Sequence, residues 1–419
     1  APRAARAVRL PGTRVPSRGV GLRVRGGSGS GGLSRRHRAE PGAAVLAVRR
    51  AEPDGDRVKV SVVRPSDLGP AEIGRWRALQ ESGPDLANPF LAPEFTLGVG
   101  RFRRAGSGRV DVLVGVVEDA GEIAAFFPFE RGPLGVGHPV GSGLTDLQGL
   151  VAPADLALDA RALLRACGLA VWDFDHLLAA QHTFAPHHTV QRVEPVMDLG
   201  AGFAAFEEEM RRTAPKTHRT IRYKERRLGR DVGEVTYEFA SADPDDLRRL
   251  MAWKSDQYTR TGRTDRFARP WIVALVEHFH RTGFGVLSVL RAGGEPVSAH
   301  FGLRNGGVMA GWFPAYDTRF GKYSPGMIGH LRLAEGCAGN GVSEIAMGRG
   351  GKEFKEGFKG REIPIAEGRV ARATAGAGVH WMRSAPLNRA RGAVLDNPAL
   401  YRRADRVLKT YARLRGRGR

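Results

Sequence analysis

Apolar residues recur along this chain with two different periods, and the switches between them mark its elements. Val58, Val60 and Val62 alternate with polar positions and predict a strand. Helices are predicted over 71–80 and over 93–104, the second opened by Pro93. Strands over 110–117 and 123–129 turn through Asp119-Ala120-Gly121. The stretch 132–149 reads as loop, 156–167 as helix, and 171–177 and 193–199 as strands. Beyond residue 202 come helices over 203–212 and 215–228, a strand over 235–239, and helices over 243–261 and 271–282. Strands over 284–291 and 295–303 flank the tight turn Ala292-Gly293-Gly294-Glu295, and a third follows over 308–316. A helix over 325–338, a strand over 343–347, a short helix over 352–358 and a strand over 362–369 complete the pattern. The stretch 378–414 reads as helical and basic.

Both halves run helix, helix, hairpin, loop, helix, strand, with no repeat at residue level. The expected class is therefore mixed α/β (α+β), with units at 55–200 and 201–375. A chain of 419 residues also exceeds what one core usually supports. Residues 1–54, rich in Arg and Gly, read as a disordered tail, and 376–419 as a basic helical tail.

No stretch approaches the roughly 20 apolar residues of a membrane span. The two cysteines, Cys167 and Cys337, suit neither a disulfide framework nor a zinc site, and no metal is expected. With no secretory signal visible, the reading is a cytoplasmic protein. The net charge of +21 suggests nucleic acid until it is located. Residues 1–50 hold twelve Arg against Glu40, and 383–419 hold ten Arg and Lys409 against two acids. The body between them is nearly neutral, with 42 bases and 41 acids. The tails suit non-specific contact with a polyanion, or are simply solvated. The same choice applies to the helix holding Lys216, Arg219, Arg222, Lys224, Arg226 and Arg227.

The chemistry concentrates in strand, loop, helix and strand from Met309 onward. The loop ends in Tyr323-Ser324-Pro325-Gly326 at a helix start. There, unpaired N–H groups and the helix dipole favour an anion such as a CoA pyrophosphate. Pro325 costs nothing in the first turn, Gly326 leaves room for a ligand, and Ser324 is either part of this cradle or a plain N-cap. The Gly-Lys-Ser/Thr ending of a P-loop is absent.

Trp312-Phe-Pro-Ala-Tyr316-Asp317, Tyr323-Ser324-Pro325-Gly326, and Met347-Gly348-Arg349-Gly350 followed by Phe354-Lys355 together resemble the GNAT-like acetyltransferases of the CelD/BcsL type. That family is associated with bacterial cellulose or exopolysaccharide synthesis. Ala252-Trp253-Lys254, Pro296 to His300, and the loop Leu144-Thr145-Asp146-Leu147-Gln148-Gly149 agree with it. The sequence departs from the family at Ala346 and Phe354, where Asp and Tyr are frequent. The resemblance implies two tandem GNAT-like units, as in the related Fem peptidyltransferases, with acetyl-CoA or another acyl-CoA bound by the second. It implies direct transfer to an amine of a small molecule or saccharide. His300, Tyr316 and Asp317 are the candidate catalytic residues, each with a plainer reading: a satisfied histidine, a packing aromatic, a turn opener. Tyr323, Ser324, Pro325, Gly326 and Lys355 are the donor-binding candidates; Lys355 is otherwise an exposed helix charge. Asp146, Gln148 and Trp312 are candidates for the acceptor side, against a polar turn for the first two and a core aromatic for the third. A Fem-like transferase using charged tRNA, and a catalytically silent scaffold binding polyanions or a partner enzyme, are the alternatives. The oligomeric state is left open.

Overall fold

The computed structural model describes residues 8–10, 58–107, 110–153, 155–156, 158–348 and 353–384. Apart from 8–10, the N-terminal tail read as disordered lies outside them, as does the predicted helix beyond residue 384. Val8–Leu10 (β1) pairs antiparallel with Val58–Val63 (β2).

The first half continues with helices Pro70–Gln80 (α1) and Pro93–Ser107 (α2), then strands Asp111–Asp119 (β3), Glu122–Arg131 (β4) and Val136–His138 (β5). Helix Ala160–Ala166 (α3) and strands Val171–Leu178 (β6) and His188–Asp198 (β7) complete it. Helices Phe203–Thr213 (α4) and Pro215–Val232 (α5) lead into the second half. That half runs Val235–Glu238 (β8), Pro244–Arg260 (α6), Pro270–Thr282 (α7), Gly285–Ala292 (β9), Glu295–Asn305 (β10), Val308–Tyr316 (β11), Pro325–Gly339 (α8), Glu344–Ala346 (β12), Glu353–Glu356 (α9) and Arg361–Ala371 (β13). From β2 to β7 and from β8 to β13 the order is the same: strand, two helices, three strands, helix, two strands, with the short α9 added in the second. The expected tandem arrangement and mixed α/β class are both present.

All strands form one sheet in the order β1-β2-β3-β4-β5-β6-β13-β7-β12-β11-β10-β9-β8. Each half is the mirror of the other about its centre, where the two final strands have changed places. The last strand of the chain, β13, lies between β6 and β7, and β7 lies between β13 and β12. The sheet therefore runs without a break across residue 200. A core cluster also spans the halves: Phe95 and Val99 of α2 pack with Leu275 and Phe279 of α7 and with Phe301 and Trp312 of the sheet.

The sequence pattern overran in two places. The helix expected over 156–167 begins only at Ala160, because Asp159 turns the chain there and its carboxylate accepts from the Arg161 and Ala162 N–H groups. The stretch read as loop, 132–149, contains β5, which is only three residues long and too short for a periodic signal.

Candidate functional site

The second half has a gap in its sheet. β11 pairs with β10 along its length to Tyr316, yet pairs in parallel with β12 only through Val308, Met309 and Ala310. Beyond Ala310 the strand edge on that side, through Tyr316, has no strand partner among the described residues. Next to the fork lies a β-bulge: Phe301 opposes Phe313 and Gly302 opposes Gly311, so Trp312 is the extra residue. A bulge bends its strand away from a neighbour. Pro314, which donates no ladder hydrogen bond, sits on this edge, and its carbonyl accepts from Lys254 Nζ at 2.9 Å.

The helix after β11 starts at the mouth of the fork. Ser324 stands at φ 52°, ψ 54°, so its side chain makes no cap on α8. Its hydroxyl instead accepts from Lys224 Nζ at 2.6 Å. No side chain caps the start of α8: Pro325 has no N–H, the Met327 N–H donates to the Ser324 carbonyl, and the Gly326 N–H and the positive end of the helix dipole lie beside the Lys224 ammonium group. Lys216, Thr217, Thr220, Lys224, Tyr323 and Ser324 enclose a hollow of about 310 Å³ on one side of this helix start. The equivalent helix of the first half, α3, has its start covered by the Asp159 carboxylate. A carboxylate there repels the anion that the open start of α8 attracts.

On the other side of the α8 start is a cleft of about 380 Å³ lined by Lys254, Tyr258, Tyr316, Gly326 and His330 among others. A side-chain carbon at Gly326 would meet only Tyr316, at an ordinary contact distance of 3.5 Å, so the space over it is open. His330 lies one turn into α8, and its Nδ1 is 2.6 Å from the Gly326 carbonyl. A carbonyl can only accept, so Nδ1 carries the proton and Nε2 is the accepting nitrogen. Burial, reinforced by Lys355 and Lys254, holds the His330 imidazole below its usual value. It is therefore neutral near pH 7 and able to take a proton. His300, 6.0 Å away ring to ring, is buried in the sheet behind it. Burial, with His330 and Lys254 adding, pushes His300 down to about 3. So weak a base is a poor proton acceptor, and of the two histidines only His330 lines the cleft.

One contact between the halves is built around a single residue, Gly348. The Gly348 N–H donates to Glu194 Oε1 at 2.9 Å, and the Gly348 carbonyl accepts from buried Lys355 Nζ at 2.8 Å. Asp146 lies against the same residue: a side-chain carbon at Gly348 would fall 2.6 Å from its Oδ2. Burial, with Asp146 adding, raises the Glu194 carboxyl from the usual 4.5 to about 8. A carboxyl raised in the folded state favours folding below the unfolded value, and that contribution is lost as pH rises through 4.5 towards 8. Glu194→Gln should therefore flatten the fall of the melting temperature between pH ~5 and ~8. Parallel melting curves for the variant and the parent would show that Glu194 is ionised throughout.

Several residues singled out by sequence sit elsewhere. Lys355 is neither an exposed charge nor part of the Ser324 cradle, because it is tied to Gly348. Asp317 caps the 3-10 turn before α8, accepting from the Arg319 N–H and pairing with its guanidinium, which holds the carboxyl below its usual range. Gln148 is buried with its bonds taken up by Asp175, Thr145 and the His176 N–H, so it braces the first half. Trp312 is a core residue whose indole donates to the Leu144 carbonyl across the halves at 2.9 Å. Tyr323 is buried at the edge of the cradle and donates to Asp231. The basic helix divides: Arg222 is engaged inward by Glu207 and Glu225, leaving Lys216 and Lys224 on the hollow. Lys254 stood in a stretch quoted for the resemblance without a role of its own, His330 carried no motif, and Glu194 lay inside a strand pattern.

No curated protein matches the chain. Among solved structures it is similar to the crystal structure of FemX, at 11% identity and a TM-score of 0.50, over 71% of this chain and 94% of that chain. It is also similar to a tandem GNAT protein from the clavulanic acid biosynthesis pathway, at 12% identity and a TM-score of 0.44, over 76% of this chain and 99% of that one. The FemX likeness is one of fold. The forked sheet, the open start of α8 and the histidine within it fall inside residues 215–356, and this stretch matches the family model of the acetyltransferase (GNAT) domain.

Proposed function

We propose that the chain is an N-acyltransferase that takes an acyl group from acyl-CoA and passes it directly to an amine. The observation that carries this reading is the fork between β11 and β12 opening onto the uncapped start of α8. A ligand with a pyrophosphate and an amide-bearing arm fits both: anion at the N–H groups and Lys224, arm along the unpartnered edge of β11. When bound, acyl-CoA supplies the activated carbonyl. The protein's own work is then to hold and to move a proton. Backbone N–H groups on the β11 edge are the donors placed to polarise a carbonyl lying there. His330 is the group placed to take the proton of the attacking amine, and Tyr316 is the hydroxyl in the cleft placed to give one to the departing sulfur. Asp146, a third exposed on the facing half, offers a negative charge for an ammonium group before it is deprotonated. The acceptor is an amine on a small molecule or saccharide; the resemblance at residues 312–355 favours an exopolysaccharide or envelope precursor.

Calorimetric titration of the chain with acetyl-CoA, beside Gly326→Trp, tests this. Binding in the micromolar range that the indole abolishes is the expected result, because it fills the space over residue 326. Absence of binding by any acyl-CoA would overturn the reading. Steeply salt-dependent binding of charged tRNA would then favour a tRNA-dependent transferase, and inertness to both a scaffold.

A further inference from the structure

We propose that Leu134, Trp381 and Met382, exposed on a turn and a helix that touch each other, dock the protein onto an anionic lipid surface. These three are the most solvent-exposed of the large apolar side chains among the described residues, at 57%, 56% and 62%. Leu134 stands at φ 60°, ψ 18°, a left-handed conformation that costs a non-glycine residue about 1 kcal/mol or more. With 57% of the residue exposed, little of that is recovered by packing. Its turn is held firmly, with the Ala170 N–H donating to the Gly135 carbonyl and the Gly132 N–H to the Val136 carbonyl, both at 2.8 Å.

Residues 375–384 form a helix resting on this turn. A side-chain carbon at Gly376 would fall 2.3 Å from the Leu134 carbonyl oxygen, so the two backbones are in direct contact. The helix is pinned again where His380 meets Asp173 at 2.7 Å and Arg369 reaches Ser384 at 3.3 Å. Trp381 and Met382 are thus presented to water by a fixed frame. From Arg383 the chain carries ten Arg and Lys409 against two acids to residue 419.

An indole and a thioether on a chain that continues into a strongly basic sequence match what the headgroup layer of an anionic bilayer offers: an apolar margin and a negative surface. A polyanion without an apolar phase would use the charge and leave all three side chains in water. No helix among the described residues is long and apolar enough to cross a membrane.

The test is co-sedimentation of the full chain with vesicles of phosphatidylcholine alone and of phosphatidylcholine with phosphatidylglycerol. Binding is expected only to the mixed vesicles, with a blue shift in emission that Trp381→Phe removes. Trp381→Ser with Met382→Ser should lower the partition roughly tenfold. Leu134→Gly should lower it too, and this variant relieves the left-handed strain, so poorer folding cannot account for the loss. The proposal is overturned by no binding to mixed vesicles, or by binding that all these variants leave unchanged. It is also overturned if single-stranded RNA displaces the chain from vesicles while shifting Trp381 emission, which would give the surface to nucleic acid.

Discussion

Turnover should fall by about 10²–10⁴-fold when His330 is replaced by Gln, with the KM for acyl-CoA little changed. Gln keeps a donor for the Gly326 carbonyl and removes the only nitrogen in the cleft that can both accept a proton and release it near neutral pH. The parent enzyme should lose kcat/KM on the acid side as the imidazole becomes charged. Its usual value is 6.5 and its surroundings lower it, so that limb lies below pH 6.5. The variant should show no such limb. His300→Gln is the matched control: its imidazole is already neutral across that range, and the limb should survive. If the limb persisted in the His330 variant and vanished in the His300 variant, the roles assigned here would be reversed.

Gly348→Ala should cost the fold about 2–4 kcal/mol, measured by denaturant unfolding. Two effects combine. Gly348 lies at φ 75°, which an L-residue adopts only with strain, and the new carbon would sit 2.6 Å from the Asp146 carboxylate. Because Gly348 also joins Glu194 through its N–H to Lys355 through its carbonyl, the displacement would disturb both of those contacts. Asp146→Ala in the same chain should restore the part due to contact and leave the part due to φ. An alanine variant as stable as the parent would mean that Asp146 does not rest on this peptide.

The elements were legible where a face is buried against one neighbour. The alternation in β2 and the helical patterns of α6 and α7 are local properties, and each lies within a residue or two of where the pattern put it. The start of α8 was legible for the same reason: Ser-Pro-Gly is backbone chemistry written in consecutive residues. Pairing across distance left no such mark. Residues 361–371 alternate as a strand should, but nothing in them states that their partners are 171–178 and 188–198. The bonding of the basic groups that line the cleft was hidden likewise. His330 reads as one polar residue in an apolar helix, and Lys254 finds the Pro314 carbonyl sixty residues away. Asp317 and Gln148 are the opposite case: both are polar residues that the sequence singled out, and their bonds are taken up within the protein, by Arg319 for the first and by Thr145, Asp175 and the His176 N–H for the second.

The exchange of final strands at the centre of the sheet bears on how the chain reaches its folded state. As the ribosome releases it from the N-terminus, the first half emerges complete except for the strand that must lie between β6 and β7, and that strand comes about 190 residues after β6. Until then both central strands present open edges, the kind that recruit foreign strands. Closure is one late, long-range event that completes both halves together, and contacts of such separation form slowly. The two units are therefore tandem in sequence and a single unit in folding.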